Sequence, residues 1–231
     1  MSGRMDIKVV VFDFDGTLVD SAPIKTEAFA ELYRPYGDEI AEEVRRRHLA
    51  AEGVSRFVKF REWHTDLLGL DVDDELAGRL SAEFDRLVET RIVRAPEIAG
   101  AHGALAALTG KLPLYIASAT PEASLRWIVE ERGMSGFFVG VHGIPTSKFD
   151  VLERVAATHR CDRSQVLMVG DAESDRQAAD QAGTSFVGVV TTDCADDRGG
   201  DAHGASPHPW TAPGSSVVTM SDLSTLTTLL L

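Results

Sequence analysis

The hydrophobic pattern begins with a short apolar run near the start of the chain. Residues 9–12 are Val-Val-Val-Phe, followed by Asp13 and Asp15 on either side of Phe14, and Gly16 breaks the run. A β-branched run of this length predicts a buried strand, in which positions i and i+2 point to the same side. We therefore expect the two carboxylates to share one side while Phe14 packs into the core.

The following segment has helical rather than strand periodicity. Between residues 22 and 94 apolar side chains recur at helical spacing, as in Phe29, Leu32 and Tyr33. We interpret residues 21–94 as a small helical domain inserted after the first strand. Residues 1–20 and 95–231 then form the larger domain.

From Pro96 onward the pattern changes to strands alternating with helices, which predicts βαβ units and a parallel sheet, and hence an α/β fold. The predicted elements are a helix over 101–109, a strand over 112–117, a helix over 121–132, a strand over 137–141, a helix over 148–159, a strand over 165–169, a helix over 174–182, a strand over 185–190, an edge strand over 217–220 and a helix after Ser221-Asp222. Residues 191–216 are rich in Asp, Gly, Ala, Pro, Ser and Thr and predict a loop.

Composition narrows the possible partners. The chain has 36 acidic and 23 basic residues, a net charge of −13, which argues against binding to nucleic acid or to an anionic membrane. No apolar run reaches the roughly 18 residues of a membrane span, and none of signal-peptide length precedes Asp13. The two cysteines, Cys161 and Cys194, have no CxxC spacing, so we predict a reducing, cytoplasmic setting.

Polar residues also follow the later apolar runs. Ser118 comes after one predicted strand and Asp171 after another, while Lys148 begins a helix and Asp175 lies one turn beyond Asp171. The carboxyl ends of parallel strands are where open α/β sheets bind ligands. Taken singly, Ser118 is equally a turn serine and Lys148 a solvated lysine. A cation at a helix N-terminus opposes the helix dipole, however, and is understandable if it faces an anion.

Taken in order, these segments resemble a known family. The sequence Asp13-Phe-Asp-Gly-Thr-Leu-Val-Asp-Ser resembles the first motif of the haloacid-dehalogenase-like (HAD) phosphohydrolases. Ser118 resembles their second motif, Lys148 the third, and Gly170-Asp171 through Asp175 the fourth. The resemblance implies a Rossmann-like parallel sheet core with an inserted α-helical cap domain.

The resemblance also implies a role for each acidic residue. Asp13 would be the nucleophile that forms an aspartyl-phosphate, and Asp15 the general acid and then the general base. Asp171, the carboxylate of Asp13 and the backbone carbonyl of Asp15 would hold Mg²⁺, with Asp175 supporting the metal site. Magnesium prefers such oxygen ligands.

The remaining motif residues would bind the transferring phosphoryl group. The resemblance assigns this role to Ser118 and Lys148, with Gly16 and Ala119 adding contacts. Relatives often carry Asn or Gly where this chain has Ala119. That position contributes a backbone group, so alanine is expected to serve.

Substrate contacts are expected in the cap. Residues 52–57 resemble the cap loop of β-phosphoglucomutases, in which Gly-Val-Ser-Arg presents an arginine to a sugar phosphate; here Ser55 and Arg56 take those positions. The alternative is a surface arginine that opens a helix. Lys25 stands where mutases carry a cap-hinge histidine, which favours hydrolysis; it either neutralises the substrate or is a solvated lysine. His48 and Lys59 are interpreted as rim residues.

These observations predict a Mg²⁺-dependent phosphatase that acts on a small phosphorylated metabolite, a sugar phosphate, through an aspartyl-phosphate. The presence of Asp15 disfavours dehalogenase and phosphonate-cleaving activities, because relatives with those activities lack this aspartate. Two alternatives stay open: a β-phosphoglucomutase-like sugar-phosphate mutase, and a non-catalytic HAD-like protein that binds a phosphorylated ligand. We expect a monomer or a small homo-oligomer.

Overall fold

A computed structural model of the chain describes residues 5–51, 53–190 and 217–231. Its described strands form one sheet, and they are β1 (Val9–Phe12), β2 (Leu114–Pro121), β3 (Gly140–Ile144), β4 (Val166–Gly170), β5 (Ser185–Val189) and β6 (Val218–Met220). The strand order is β3-β2-β1-β4-β5-β6, and every pair is parallel. The predicted α/β fold with a parallel sheet is therefore confirmed.

The strand that precedes Asp13 lies at the centre of the sheet. β1 is flanked by β2 and β4, with Val10 in register with both Leu114 and Leu167. All four residues of β1 are buried, as expected for a strand covered on both faces. The carboxyl ends of β1, β2 and β4 are consequently neighbours at one edge of the sheet.

Helices cover both faces of the sheet. They are α5 (Ala101–Leu108), α6 (Glu122–Glu131), α7 (Lys148–His159), α8 (Glu173–Ala182) and α9 (Leu226–Leu230). Val10 and Phe12 belong to one buried apolar cluster, and Val9 and Val11 belong to another. This alternation follows from the two-residue period of a strand and fixes the direction in which β1 presents its last side chains.

The position of β3 corrects the sequence prediction. The strand spans Gly140–Ile144 instead of residues 137–141, because Ser135–Phe137 form a short 3₁₀ turn. A Cβ on Gly143 would lie 2.3 Å from the carbonyl oxygen of Thr120, so β3 approaches the end of β2 through a residue without a side chain. β2 itself extends to Pro121, and α6 begins one residue later.

The segment between β1 and β2 is helical, as its periodicity predicts. Its α-helices are α1 (Ala22–Tyr33), α2 (Asp38–Ala50), α3 (Arg56–Trp63) and α4 (Asp74–Arg94). Phe29 packs against Phe60, Trp63 and Phe84 with ring centroids 4.2 to 5.9 Å apart, which joins α1, α3 and α4. The exact domain limits at residues 21 and 94 remain a prediction.

Arg132 ties the end of this helical segment to the sheet domain. One guanidinium nitrogen of Arg132 donates to the carbonyls of Ile92, Val93 and Ala95 at 2.7, 3.0 and 2.8 Å. These carbonyls lie at the C-terminus of α4, where helices lack internal donors and favour cations. The contact holds the point at which the chain returns from α4 to the sheet domain.

Among the described residues, no helix is long and apolar enough to cross a membrane. The loop predicted over 191–216, Cys194 within it, and Glu52 lie outside the described residues.

Candidate active site

Asp13 lies directly after β1, and its backbone N–H donates to the carbonyl of Val169 at 2.8 Å. Its side chain is buried, with Oδ2 3.1 Å from Nζ of Lys148. Oδ1 is also buried and has no hydrogen-bond partner. A buried, unpartnered carboxylate oxygen is costly in a structural role, so Asp13 is arranged to meet a group that it binds.

Lys148 is the first residue of α7, and its ammonium lies between two aspartates. Nζ is 2.5 Å from Oδ1 of Asp175 and 3.1 Å from Oδ2 of Asp13. Lys148 is only 9% exposed, so it is not a solvated lysine. Burial lowers its pKa, but the charges of Asp13 and Asp175 outweigh burial and hold the pKa above its usual value.

Asp13, Asp171 and Asp175 form an acidic cluster whose ligand atoms all lie within 4.8 Å of one another. Thr17 donates to Oδ1 of Asp171 at 2.6 Å, and Oδ2 of Asp175 accepts the N–H of Ala172 at 3.0 Å. These hydrogen bonds hold the carboxylates of Asp171 and Asp175 in place. Asp13 follows β1 and Asp171 follows the adjacent strand β4, so the cluster lies at two neighbouring strand ends.

Gly16 allows the first loop to pass close to Asp171. Its φ is +82°, and a Cβ at this position would lie 2.2 Å from Oδ2 of Asp171. Any other residue would collide with the carboxylate and strain the backbone. The glycine after Asp15 is therefore required by the acidic cluster.

The acidic cluster has the electrostatics of a cation site. Burial, together with the charges of Asp175 and Asp15, outweighs Lys148 and raises the pKa of Asp13 to about 7. Burial and the charges of Asp13 and Asp175 raise the pKa of Asp171 well above its usual value. Crowded carboxylates with an unpartnered oxygen fit a hard divalent cation such as Mg²⁺.

Asp15 lies outside the acidic cluster and has its own set of partners. Its Oδ2 is 2.5 Å from Nζ of Lys25, and it accepts hydrogen bonds from Thr120 at 2.9 Å and Ser118 at 3.2 Å. Oδ1 accepts a bond from Ser21 at 2.7 Å. Burial raises the pKa of Asp15, but Lys25 and the hydroxyl donors outweigh burial and lower the pKa below its usual value.

These contacts decide the alternatives for two residues. Lys25 is not a solvated lysine, because it binds both Asp15 and the hydroxyl of Thr120, at 2.9 Å. Ser118 is buried, and its Oγ accepts the N–H of Thr120 at 3.1 Å while donating to Asp15. It therefore belongs to the network around Asp15.

A cavity of about 580 Å³ opens between the strand ends and the helical segment. From the sheet domain it is lined by Asp13, Asp15, Ser118, Ala119, Thr120, Asp171 and Ala172. From the helical segment it is lined by Ala22, Lys25, Phe29, His48, Gly53, Val54, Arg56, Lys59 and Phe84, which we call the cap wall. Lys148 and Asp175 are not among these lining residues, but Lys148 contacts Asp13, which is.

Arg56 lies on the cap wall and is only 5% exposed, so the interpretation as a surface arginine is wrong. Its guanidinium forms an ion pair with Asp85 and lies 4.5 Å from the ring centroid of Phe84. Ser55 is not among the lining residues. Its hydroxyl accepts the N–H of Phe57 at 3.3 Å and caps α3.

His48 and Lys59 are buried on the cap wall, which corrects their interpretation as rim residues. Nζ of Lys59 lies 2.8 Å from Nδ1 of His48. Burial, followed by the charges of Lys59 and Lys25, lowers the pKa of His48 to about 2. His48 is consequently neutral, and its Nδ1 accepts a hydrogen bond from Lys59.

The cap loop contacts the loop that carries Asp171. Gly53 has φ +76°, and a Cβ there would lie 2.2 Å from Oγ of Ser174 and 2.9 Å from Cβ of Ala172. The two loops thus touch through a residue without a side chain. The cavity is closed on this side.

Gly53→Ala is expected to lower kcat/KM by about tenfold or more, because the new methyl group collides with Ser174 and holds the two loops apart. Gly69→Ala is the matched control. Gly69 also has a positive φ, +65°, but nothing lies within 4 Å of its Cβ position. Both variants strain the backbone and should lose thermal stability, Gly53→Ala more because of its collision, whereas only Gly53→Ala should lose activity; equal kinetics for the two would contradict the contact's role.

Three hydroxyl groups of the site were missed by sequence reasoning: Thr17, Ser21 and Thr120. Thr17 and Ser21 lie within the first motif but were given no role, Thr120 lies two residues after Ser118, and each donates to a motif carboxylate. Their proximity along the chain was an available signal. Nothing in the sequence separates them from ordinary turn hydroxyls, however.

At the ends of two adjacent strands of the parallel sheet, carboxylates lie beside a buried lysine and face a cavity that the helical segment also lines. The haloacid dehalogenase-like hydrolase family model matches residues 7–183. The chain thus belongs to the haloacid dehalogenase-like hydrolases, as its motifs indicate.

Relatives narrow the class to phosphatases. A phosphoglycolate phosphatase from Vibrio parahaemolyticus is 26% identical over 203 residues, covering 81% of this chain and 85% of the relative. One from Pseudomonas savastanoi is 32% identical over 189 residues, covering 79% of this chain and 69% of the relative. With the family match, these relatives support a phosphatase enzyme acting on a small phosphorylated substrate.

Solved structures share the fold. A predicted phosphoglycolate phosphatase from Haemophilus somnus aligns with a TM-score of 0.70 at 17% identity, covering 98% of this chain and 99% of that one. L-2-haloacid dehalogenase from Xanthobacter autotrophicus aligns with a TM-score of 0.61 at 22% identity, covering 96% and 98%. The same fold thus carries two reactions, and the site residues must separate them.

Proposed function

We propose that the protein is a Mg²⁺-dependent phosphatase that hydrolyses a small phosphorylated metabolite through an aspartyl-phosphate at Asp13. The observation that carries this proposal is the buried Asp13 carboxylate. One of its oxygens is paired with Lys148, and the other has no hydrogen-bond partner. Phosphatases of this family generally use Mg²⁺, and Asp13, Asp171 and Asp175 are the residues that would hold it.

In the first half of the reaction, a carboxylate oxygen of Asp13 attacks phosphorus and the bond to the leaving oxygen breaks. Lys148 favours the ionised form of Asp13 against the effect of burial and would neutralise charge on the phosphoryl oxygens. Ser118 and the backbone at Ala119, which line the same cavity, would bind that group. The bound metal ion would supply further positive charge there.

Asp15 would transfer protons in both halves of the reaction. It protonates the leaving oxygen first and afterwards removes a proton from the water that hydrolyses the aspartyl-phosphate. Lys25 and the hydroxyl donors favour its ionised form, which is the form that the second half requires. An incoming phosphate dianion raises the pKa of a nearby carboxyl and so favours the protonated form for the first half.

A mutase is the second candidate because Arg56 lies buried in the cavity at the position that resembles the β-phosphoglucomutase cap loop. Against it, Lys25 replaces the hinge histidine and binds Asp15 directly. A mutase would transfer phosphate between positions of a sugar without releasing it. Measuring free phosphate beside the isomeric sugar phosphate therefore separates the two activities.

Two observations favour different classes of substrate. The resemblance to the mutase cap loop favours a sugar phosphate, whereas the relatives are named phosphoglycolate phosphatases. Both are small molecules of a size that suits a cavity of about 580 Å³. The two substrate classes differ in the leaving group: that of phosphoglycolate carries a carboxylate, whereas that of a simple sugar phosphate is neutral.

Removal of the metal is expected to abolish phosphate release. The measurement uses phosphorylated sugars, polyols, glycolate and nucleotides, with Mg²⁺ and with EDTA. We expect release in Mg²⁺ from at least one small substrate, and return of activity when Mg²⁺ is restored after EDTA. Undiminished release in EDTA would contradict the metal site, and net isomerisation without release would favour the mutase.

A further inference from the structure

His48 is a buried histidine of α2 whose side chain lines the cavity from the cap wall. Two contacts hold its ring in place. The ring centroid lies 4.7 Å from that of Phe29, and Nδ1 lies 2.8 Å from Nζ of Lys59. The imidazole is therefore fixed on one face and at one of its two nitrogens.

The contact with Lys59 determines which ring nitrogen carries the proton. A lysine ammonium group has donors and no acceptor, so Nδ1 of His48 accepts the hydrogen bond and is unprotonated. A second proton on the ring is disfavoured, because burial and the charges of Lys59 and Lys25 lower the pKa of His48 to about 2. The imidazole is consequently neutral, with its single proton on Nε2.

The proton on Nε2 is available to a bound molecule. No described residue accepts it, since the contacts of the His48 ring are those with Lys59 and Phe29. His64 provides a contrast: its Nε2 is sealed from solvent as well as unpartnered, and its side chain does not line the cavity. Nε2 of His48 is not among such sealed atoms of the described residues, so its N–H opens onto the cavity.

His48 faces the part of the substrate beyond the reacting phosphate. The phosphate belongs beside Asp13, on the sheet side of the cavity, so the leaving group extends toward the cap wall. The charge of Asp15 acts on the pKa of His48, against the lowering by burial and lysines. The imidazole thus lies within electrostatic reach of the carboxylate that would protonate the leaving oxygen.

An N–H donor in these surroundings needs an acceptor. Phe29, Val54 and Phe84, which line the same wall, have apolar side chains, and Lys25 offers only donors. A donor shielded from bulk water costs free energy unless water or a bound molecule accepts its hydrogen bond. An oxygen atom of the leaving group is the substrate group that meets this need.

We propose that His48 determines specificity by donating a hydrogen bond from Nε2 to a hydroxyl oxygen of the leaving group. The inference rests on the proposed phosphatase function and names its substrate class: phosphate monoesters of small alcohols that carry a further hydroxyl group. Lys59 acts through His48, as a positioning residue that fixes the tautomer. An ester with a methyl group in place of the hydroxyl leaves the donor unpaired and should react less well.

The test compares pairs of esters that differ only in this way. 2-Hydroxyethyl phosphate is paired with propyl phosphate, and glycerol 3-phosphate with 2-methylbutyl phosphate. In each pair methyl groups replace hydroxyl groups, so the size and the charge of the leaving group are kept. We expect the wild type to prefer the hydroxylated member of at least one pair by about tenfold or more in kcat/KM.

His48→Phe should abolish that preference, because phenylalanine keeps a ring against Phe29 but has no donor. We expect kcat/KM to fall about tenfold more for the hydroxylated member than for its isostere. His48→Gln, which keeps an N–H donor, should restore much of the preference. The matched control is His64→Phe, which removes a buried histidine of the same helical segment outside the cavity lining and should leave the preference unchanged.

Nitrogen NMR of protein labelled at histidine measures the donor without turnover. Among the seven histidines, the signals of His48 are those missing from the His48→Gln protein. We expect the neutral tautomer with the proton on Nε2. Adding the hydroxylated ester to the Asp13→Asn protein should shift the Nε2 signal, whereas the isostere should not.

Three results would overturn the inference. They are a wild type that does not prefer the hydroxylated member of either pair in release or in binding, a His48→Phe protein that loses equally on both members, and a proton on Nδ1. Asp13-dependent release would leave the phosphatase proposal intact in each case. If release fails for every compound but the hydroxyl-dependent shift of Nε2 holds, the phosphatase proposal is wrong and the assignment of His48 as a donor stands.

Discussion

The Asp13→Asn protein is expected to lose turnover almost completely while keeping its fold. Asparagine has the shape of the aspartate side chain but cannot attack phosphorus, and removing a nucleophile typically costs several orders of magnitude in kcat, on the order of 10³ to 10⁶. Phosphate release in Mg²⁺ measures the loss. Asp71→Asn is the control, since Asp71 is exposed and outside the cavity lining.

The same variant should be at least as stable as the wild type when no metal is bound. The pKa of Asp13 is about 7 in the folded protein against 3.8 for the ordinary side chain, so the folded protein binds more protons between these values. The contribution of Asp13 to stability therefore declines as pH rises from about 4 to about 7. The Asp13→Asn substitution removes that decline, and melting temperatures in EDTA at pH 5 and pH 8 measure it.

For turnover, an active Asp13→Asn protein would contradict the covalent mechanism.

Lys148→Met is expected to have the second largest effect, on both activity and stability. The change leaves Asp13 and Asp175 facing each other without the buried ammonium, which in comparable buried pairs costs about 3–5 kcal/mol of unfolding free energy. It also removes the ammonium that would neutralise negative charge on the transferring phosphoryl group, with an expected loss of about 10³-fold or more in kcat. Urea denaturation and steady-state kinetics measure the two losses separately.

A second substitution separates the structural part from the catalytic part. Adding Asp175→Asn to Lys148→Met removes one of the two stranded charges, so much of the lost stability should return. Activity should not return, because the phosphoryl group still lacks the lysine. A Lys148→Met protein with wild-type stability would show that the ammonium does not hold the two aspartates in place.

The sheet could be predicted from the sequence because its strands are short apolar runs with distinct ends. The run before Asp13 contains only buried side chains and is followed by a glycine that no other residue can replace beside Asp171. The β3 prediction failed because apolar content favoured residues 137–141. The strand instead includes Gly140 and Gly143, whose lack of a side chain allows close approach to β2.

The cavity could be predicted only in part, because its contacts depend on the packing of helices far apart in the chain. Burial of Arg56 requires α4 to supply Asp85 and Phe84. The pairing of His48 with Lys59 requires α2 and α3 to meet on the same side of Phe29. Helical periodicity identifies each helix but does not specify which faces meet.

The most direct test of the central claim is to trap the phosphorylated enzyme and locate the modified residue. The enzyme is mixed with substrate and Mg²⁺, quenched in acid, and reduced with borohydride, which converts an aspartyl-phosphate to homoserine. Peptide mass spectrometry then reads the position. We predict homoserine at residue 13 in the wild type and none in the Asp13→Asn protein. Phosphate release without modification at Asp13, or with modification at another aspartate, would contradict the account.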